Sequence, residues 1–521
     1  MGVQSGGRYA SAEMEEGGAV KVMDQFFYGL LEIVHAAPMN YTAARYFLFV
    51  ALTVVLYYVL PRKVRWTVLM ISSGYFYYVV SDDRRQLLVF AMSIAISYFA
   101  GILMEKIREQ NTWARIALGI GIIASAAPLI ASKCGDFLTG SVMHRPMVPW
   151  IIPIGLSFYS MQMIAYLADI YKARITPQKN LLKYALFISF FPIIIQGPIS
   201  RYDQLESQLF EGHSYDNERL MRGIQLILWG LFLKYLIADK ASVVVDTVFD
   251  SYPKYAGFYI LTAAVLYSIQ LYADFLSCVT ISQGVAGLYG IELTDNFSRP
   301  YFSTSVKEFW RRWHISLSGW LRDYIYIPLG GSRKGKIHKY GNLVITFAVS
   351  GLWHGGRWKY LFWGLMHAGY QIAGDLLYRP KDYILERLSL PQGSKMRKAL
   401  EMTATSFLVS TAWIIFRAST LKTGVQMILS MFSTFNPWIF FNDSIFRLGL
   451  TQREFGVLSC SVLIFVTISL MQEKGIEVRG WFNRQNTAVR WAIYLCGFWC
   501  MWLFGTYGHG FNAADFIYGG F

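Results

Sequence analysis

Residues Gln86–Met104 read QLLVFAMSIAISYFAGILM, nineteen positions without one charged side chain. As a helix rising about 1.5 Å per residue, this run spans about 28 Å, close to the roughly 30 Å of a bilayer's hydrocarbon core. Working outward, comparable apolar runs occupy 44–60, 66–80, 116–132, 148–168, 181–197, 221–238, 256–276, 341–366, 402–416, 455–471 and 488–507. The pattern predicts an all-α, polytopic integral membrane protein of about 11–12 membrane helices, one or two of them re-entrant. The run 66–80 and the run ending in Gln196-Gly197-Pro198 are the weakest candidates. Non-helical backbone at membrane depth must be buried in protein or line a watery cavity.

Composition agrees. The 521 residues are 54% hydrophobic and only 16% charged, outside the range of ordinary soluble domains. Lys and Arg outnumber Asp and Glu by 48 to 33, a net +15. In a polar protein that excess would suggest nucleic acid. In a chain this apolar it reads as Lys/Arg-rich cytoplasmic loops, and no nucleic-acid partner is expected. Aromatic residues make up 17%, as rings gathered at both membrane interfaces would require. Cys134, Cys278, Cys460, Cys496 and Cys500 form no CxxC pair, so neither a disulfide framework nor a zinc site is expected.

Residues 1–40 form a Gly-rich acidic tail carrying Glu13, Glu15, Glu16, Asp24 and Glu32. It reads as mobile, with a short amphipathic helix around Phe26–Val34 and no signal peptide. Residues 41–521 read as one membrane domain, without internal repeats. Arg62, Lys63 and Arg65 separate the first two runs, whereas the next loop, Asp82-Asp83-Arg84-Arg85, is neutral. The positive-inside rule therefore sets the first loop in the cytoplasm and the N-terminus outside. Nine Lys/Arg between Arg299 and Lys339, against Glu308 and Asp323, mark the strongest cytoplasmic segment.

That segment contains Ser305–Tyr324, SVKEFWRRWHISLSGWLRDY. At about 100° per residue, Phe309, Trp310, Trp313, Leu317, Trp320, Leu321 and Tyr324 share one arc and Lys307, Arg311, Ser318 and Arg322 another. The plain reading is an interfacial amphipathic helix with tryptophans at headgroup depth. His314, on the border of the arcs, has no role in that reading beyond an ordinary interfacial hydrogen bond. The second segment is Gly351-Leu352-Trp353-His354-Gly355-Gly356. An ionisable group inside a membrane run tends to face a cavity or substrate path, and the glycines allow another backbone or a substrate to approach closely. An imidazole suits proton abstraction from an alcohol; the competing reading is a core histidine bonded to a neighbouring helix. His367 lies 13 residues further on, about 220° around a continuous helix, and so does not share that face. There is no GxSxG, and no histidine has Asp five positions later, which argues against a serine-hydrolase elbow. Gly330–Lys336, GGSRKGK, lacks the Ser/Thr of a P-loop because Ile337 follows; it reads as a basic turn.

Taken together, WRRWHISLSGWLRDYIYIPLGG (Trp310–Gly331) and GLWHG (Gly351–Gly355), with histidines 40 residues apart, resemble the membrane-bound O-acyltransferase family, specifically its alginate O-acetylase-like bacterial branch. PIGLSFYSMQMIAYLADIY (Pro153–Tyr171), FPIIIQGPISRY (Phe191–Tyr202), NFSRPYF (Asn296–Phe302), IIFRA (Ile414–Ala418) and DFIYGGF (Asp515–Phe521) agree. The family's usual Asp-Phe-Ser-Gly-Tyr-Ser/Thr-Asp stretch departs here to Asp274-Phe275-Leu276-Ser277-Cys278-Val279-Thr280.

The resemblance implies membrane helices, with re-entrant or interfacial ones, around a central funnel or tunnel where an intracellular donor path meets an extracellular acceptor path. It implies His354 as the base that takes a proton from a sugar hydroxyl, and His314 as the group that bonds the thioester oxygen or positions the donor. Trp310 and Trp353 would wall the path. Arg311, Arg322, Arg333 and Lys334 would attract the phosphate of a phosphopantetheine or CoA. No bound cofactor is implied; acetyl-CoA or an acyl carrier protein would be a cosubstrate. The expected partners are the lipid bilayer, the cytoplasmic acyl donor, and an extracytoplasmic polysaccharide or an SGNH-type acetyltransferase. The expected location is the bacterial cytoplasmic membrane. The implied activity is O-acetylation of a cell-surface or exported polysaccharide. A teichoic-acid D-alanyl transferase using a carrier-protein thioester is the alternative. A transporter with histidines as proton relays leaves the WHG segment unexplained.

Overall fold

The computed structural model describes residues 39–109, 111–136 and 152–506. The tail at 1–40, save its last two residues, lies outside the described residues, as do the start of the run 148–168, the last residue of the run 488–507 and the motif Asp515–Phe521. Among the described residues every regular element is a helix. The helices are α1 (Ala44–Val59), α2 (Arg65–Val80), α3 (Arg84–Lys106), α4 (Asn111–Asp136), α5 (Leu156–Tyr171), α6 (Leu181–Ser189), α7 (Tyr202–Phe210), α8 (Asn217–Phe232), α9 (Asp239–Asp250), α10 (Phe258–Leu288), α11 (Val306–Arg312), α12 (Ile315–Leu321), α13 (Lys336–His354), α14 (Trp358–Leu376), α15 (Tyr378–Arg387), α16 (Lys395–Arg417), α17 (Leu421–Ser433), α18 (Gln452–Glu473), α19 (Val478–Asn483) and α20 (Thr487–Phe504). Seven helices among the described residues are long and apolar enough to cross a membrane, and the shorter α1 joins them. The chain is a multi-pass membrane protein.

The run 86–104 shows how the helices are sorted between lipid and protein. Helix α3 exposes Leu88, Met92, Ile96, Phe99 and Leu103 along one stripe and buries Phe90, Ser93, Ser97, Gly101 and Met104 along the opposite one. Ser93, Ser97 and Gly101 recur every four residues, the small-residue spacing that lets membrane helices approach closely. A methyl on Gly101 would meet Ile170 Cδ1 on α5 at 3.0 Å. At the centre stands α10, whose apolar window is 78% buried, whereas that of α20 is 0% buried and faces outward throughout.

The two weak runs resolve differently. Residues 66–80 lie in α2, an unbroken helix. The run 181–197 is helical only through Ser189, and then turns through Gln196-Gly197-Pro198 inside the protein. There the Gln196 carbonyl accepts from Cys278 Sγ at 3.2 Å and Ser282 Oγ at 3.3 Å, so buried backbone is satisfied by α10 side chains. The run 341–366 is not one helix. It is a hairpin, α13 and α14, turned at Gly355-Gly356-Arg357. Gly330–Lys336 is the turn that the sequence suggests, with Gly330, Gly331 and Gly335 at positive φ.

Loops at one face of the bundle are tied by Arg201 with Asp323 and by Arg299 and Arg312 with Glu473, both at 2.9 Å. At the opposite face Arg417 holds Asp246 at 2.5 Å and Phe258 N donates to Asn436 Oδ1 at 2.8 Å.

Candidate active site

The amphipathic segment around His314 is not one interfacial helix. Ser305 caps α11 by accepting from Glu308 N at 3.2 Å, while Glu308 Oε2 accepts from Thr304 N at 2.9 Å. The helix stops at Arg312, Trp313 is extended, and His314 adopts φ 44°, ψ 57° before α12 begins. For a non-glycine residue this left-handed conformation costs roughly 1–3 kcal/mol, and it persists because Asn296 holds it. Its carbonyl accepts from Ile315 N at 2.9 Å and its Oδ1 accepts from Ser316 N at 3.1 Å, satisfying donors that open the α12 helix. Phe309, Trp310, Trp313 and Leu317 are core residues, and His314 is 1% exposed. The expectation of tryptophans at headgroup depth is therefore corrected. Burying the aromatic arc against α10 and α16 removes far more apolar surface from water than an interfacial position would. The His314 ring lies edge-on to Phe275 at 4.7 Å and 6.1 Å from Trp353.

His354 is the last residue of α13 and is 3% exposed. Two glycines place it. A methyl on Gly351 would overlap the Tyr360 carbonyl oxygen, and one on Gly364 the Phe347 carbonyl oxygen; the hairpin closes backbone to backbone, the close approach anticipated for the glycines of this segment. The closure packs His354 against Trp353 (4.8 Å), Trp363 (5.1 Å) and Phe416 (5.1 Å), ring centre to ring centre. Trp353 Nε1 donates to the Ser157 carbonyl at 3.3 Å, locking that ring. Trp353 contacts both rings, His314 at 6.1 Å and His354 at 4.8 Å, so the two histidines singled out from sequence belong to one buried site.

His367 belongs to it as well. The prediction that it faces elsewhere assumed a continuous helix; because the chain reverses at Gly355, α14 runs back alongside α13. Trp310 Nε1 donates to His367 Nδ1 at 3.1 Å, and Trp363 stands between His367 (4.9 Å) and His354 (5.1 Å). The detectable signal was Trp363 and His367 spaced four apart, which a helix puts on one face.

On the far side of Trp310 opens a cavity of about 1360 Å³, above the roughly 300–1,000 Å³ usual for small-ligand pockets. Trp310, Arg311 and Arg322 line it, while Trp353, Arg333 and Lys334 do not; the opposite wall adds Lys381, Arg397 and Lys398, which sequence reading missed. Arg322 is paired with Asp323 at 2.7 Å, Lys339 with Asp375 at 2.8 Å and Lys381 with Glu401 at 2.9 Å. Among the described residues Arg311 and Lys398 form no ion pair. Asp382, on α15 outside the spans, has its carboxyl held below the usual range by the hydrogen bond from the Arg397 guanidinium of α16.

The departed stretch on α10 supports the site from behind. Asp274 accepts from Lys234 Nζ at 2.8 Å, and Lys234 also pairs with Asp239 at 3.0 Å, all three buried. Phe275 is the ring under His314, and Ser277 Oγ donates to the Gly230 carbonyl at 2.7 Å.

Residues 171–380, which contain His314, His354 and His367, match the family model for MBOAT, the membrane-bound O-acyltransferase family. The chain is 33% identical over 389 residues to the probable alginate O-acetylase of Pseudomonas putida, covering 73% of this chain and 77% of that protein. It is 31% identical over 389 residues to the peptidoglycan O-acetyltransferase of Helicobacter pylori, covering 69% and 72%. To the teichoic acid D-alanyltransferase of Bacillus subtilis it is 29% identical over 259 residues, covering 47% and 65%. A buried histidine pair between aromatic walls, a basic cavity beside it and these likenesses converge: the chain belongs to the membrane-bound O-acyltransferase family and is a membrane-bound O-acyltransferase.

Proposed function

We propose that the protein O-acetylates a cell-surface or exported polysaccharide, drawing acetyl groups from a cytoplasmic thioester. The carrying observation is the order of the parts: basic cavity, Trp310, Trp363, His354. Arg311 and its cationic neighbours favour a phosphate-bearing donor such as acetyl-CoA or an acyl carrier protein, because Lys and Arg recognise phosphate oxygens. His354 removes the proton as the acceptor hydroxyl oxygen attacks the thioester carbonyl carbon. A C–O bond forms, the carbonyl electrons move to oxygen, and collapse breaks the C–S bond. The departing thiolate recovers the proton from His354. His314 hydrogen-bonds the donor from the other side of Trp353.

The cavity opens on the face that carries Arg62, Lys63, Lys339 and Lys381. The positive-inside rule makes this face cytoplasmic and the N-terminus extracytoplasmic, in a bacterial cytoplasmic membrane. The acceptor is the polysaccharide itself or a serine of an SGNH-type partner that passes the acetyl group on. The longer likeness to O-acetyl transferases than to D-alanyl transferases favours acetyl. Ester analysis of envelope polymers from a deletion strain tests this. Loss of O-acetyl groups, restored by the wild-type gene but not by His354→Ala, is expected. Loss of D-alanyl esters instead would assign the other reaction.

A further inference from the structure

Between the cavity and His354 lie two buried rings whose N–H groups have no partner. His367 Nδ1 accepts the Trp310 indole N–H at 3.1 Å. A neutral imidazole has one donor and one acceptor nitrogen, so the proton of His367 is on Nε2. That Nε2 has no hydrogen-bond partner among the described residues, and neither has Trp363 Nε1. Both residues are 0% exposed. Buried donors are nearly always satisfied in folded proteins, and here two unsatisfied ones stand four residues apart on one face of α14, their rings 4.9 Å apart.

Their position is specific. Trp310 and Phe347 line the cavity, and both rings contact His367, at 5.1 and 6.1 Å. Trp363 contacts His354 at 5.1 Å. A thioester whose carrier arm enters from the cavity must bring its carbonyl carbon past these rings to meet a hydroxyl activated by His354. An indole and an Nε2-protonated imidazole are both donors, so the partner each lacks is an acceptor.

We propose that His367 Nε2–H and Trp363 Nε1–H hold the oxygen of the acyl thioester carbonyl and stabilise the negative charge it acquires when the hydroxyl oxygen adds to the carbonyl carbon. Trp310 fixes the His367 tautomer that makes this possible. The two donors transfer no proton; they bind the oxyanion until the C–S bond breaks and the carbonyl re-forms. The assignment rests on His354 being the base.

The test uses a deletion strain expressing full-length variants at equal membrane abundance, pulsed with ¹³C-acetate, with the rate of labelling of envelope O-acetyl esters as readout. Removing one donor to an oxyanion costs roughly 10²–10³ in rate. Trp363→Phe, which keeps a six-membered ring and loses the pyrrole that carries the N–H, and His367→Leu are each expected to fall by roughly that factor, and His367→Gln, which keeps an N–H donor, to retain most activity. Should His367→Leu fail to reach the membrane, Trp363→Phe decides. Rates of Trp363→Phe and His367→Leu within about two-fold of wild type, while His354→Ala is inactive, would overturn the donor assignment alone. An active His354→Ala would overturn the reading of the site beneath it.

Discussion

The closure of α13 on α14 gives the sharpest test of how the fold makes the site. Gly351 precedes His354 by one helical turn, and Gly364 precedes His367 by three residues. A methyl on Gly351 would overlap the Tyr360 carbonyl oxygen and stand 3.0 Å from its carbonyl carbon and 3.2 Å from Leu361 Cα. All three are backbone atoms with no rotamer to escape into. Ordinary van der Waals contact begins at 3.4 Å, so the carbon contact alone needs α14 to withdraw by 0.4 Å and the nearer oxygen needs about 1 Å. A misplacement of about 1 Å at a reacting centre costs about 10²-fold, and that is the loss of kcat this shift implies. Overpacking of this kind also destabilises by about 1–3 kcal/mol. Gly351→Ala is therefore expected to fold with a lowered melting point and to turn over about 10²-fold more slowly. Gly341→Ala and Gly374→Ala serve as controls on the same two helices, since a methyl at either position meets nothing within 4 Å. The assay is acyl transfer by purified protein in nanodiscs, read as thiol release, beside thermal unfolding. Wild-type kcat for Gly351→Ala, or an equal loss in the controls, would refute the argument.

Other outcomes follow from the same packing and charges. Arg311→Glu is expected to raise KM for a phosphorylated thioester donor about ten-fold with kcat spared, the difference shrinking as salt screens the exposed charge; an unchanged KM at low salt would remove Arg311 from donor binding. Lys234→Met leaves Asp239 and Asp274 buried without their shared ammonium, at a cost of about 3–5 kcal/mol. The melting point of the solubilised protein should drop accordingly, and an unaltered one would contradict the account of that triad.

Much of the fold was legible because the bilayer imposes a length. Nineteen uncharged residues at 86–104 have few other uses, and α3 occupies them. The hairpin at 355 was hidden inside an apolar run taken as continuous, although Gly355-Gly356 followed by Arg357 and Lys359 interrupts it. The left-handed turn at His314 was hidden for another reason: what holds it is Asn296, 18 residues upstream, and a helical wheel built from Ser305–Tyr324 cannot include it. The histidines themselves were legible as costly groups in apolar surroundings, while His367 was missed only because its face was computed along a helix that ends. Lys381, Arg397 and Lys398 lie on elements after the hairpin, and only the tertiary fold brings them opposite Arg311.

The central claim is that a buried imidazole at the end of α13 is the base for acyl transfer. Single-turnover release of thiol from a thioester donor, with acceptor present, tests it in wild-type protein and in His354→Gln, a variant of similar size. Rapid release by the wild type and loss of at least about 10²-fold in the variant, with unfolding temperature unchanged, is the predicted result. Equal rates in the two proteins would contradict it.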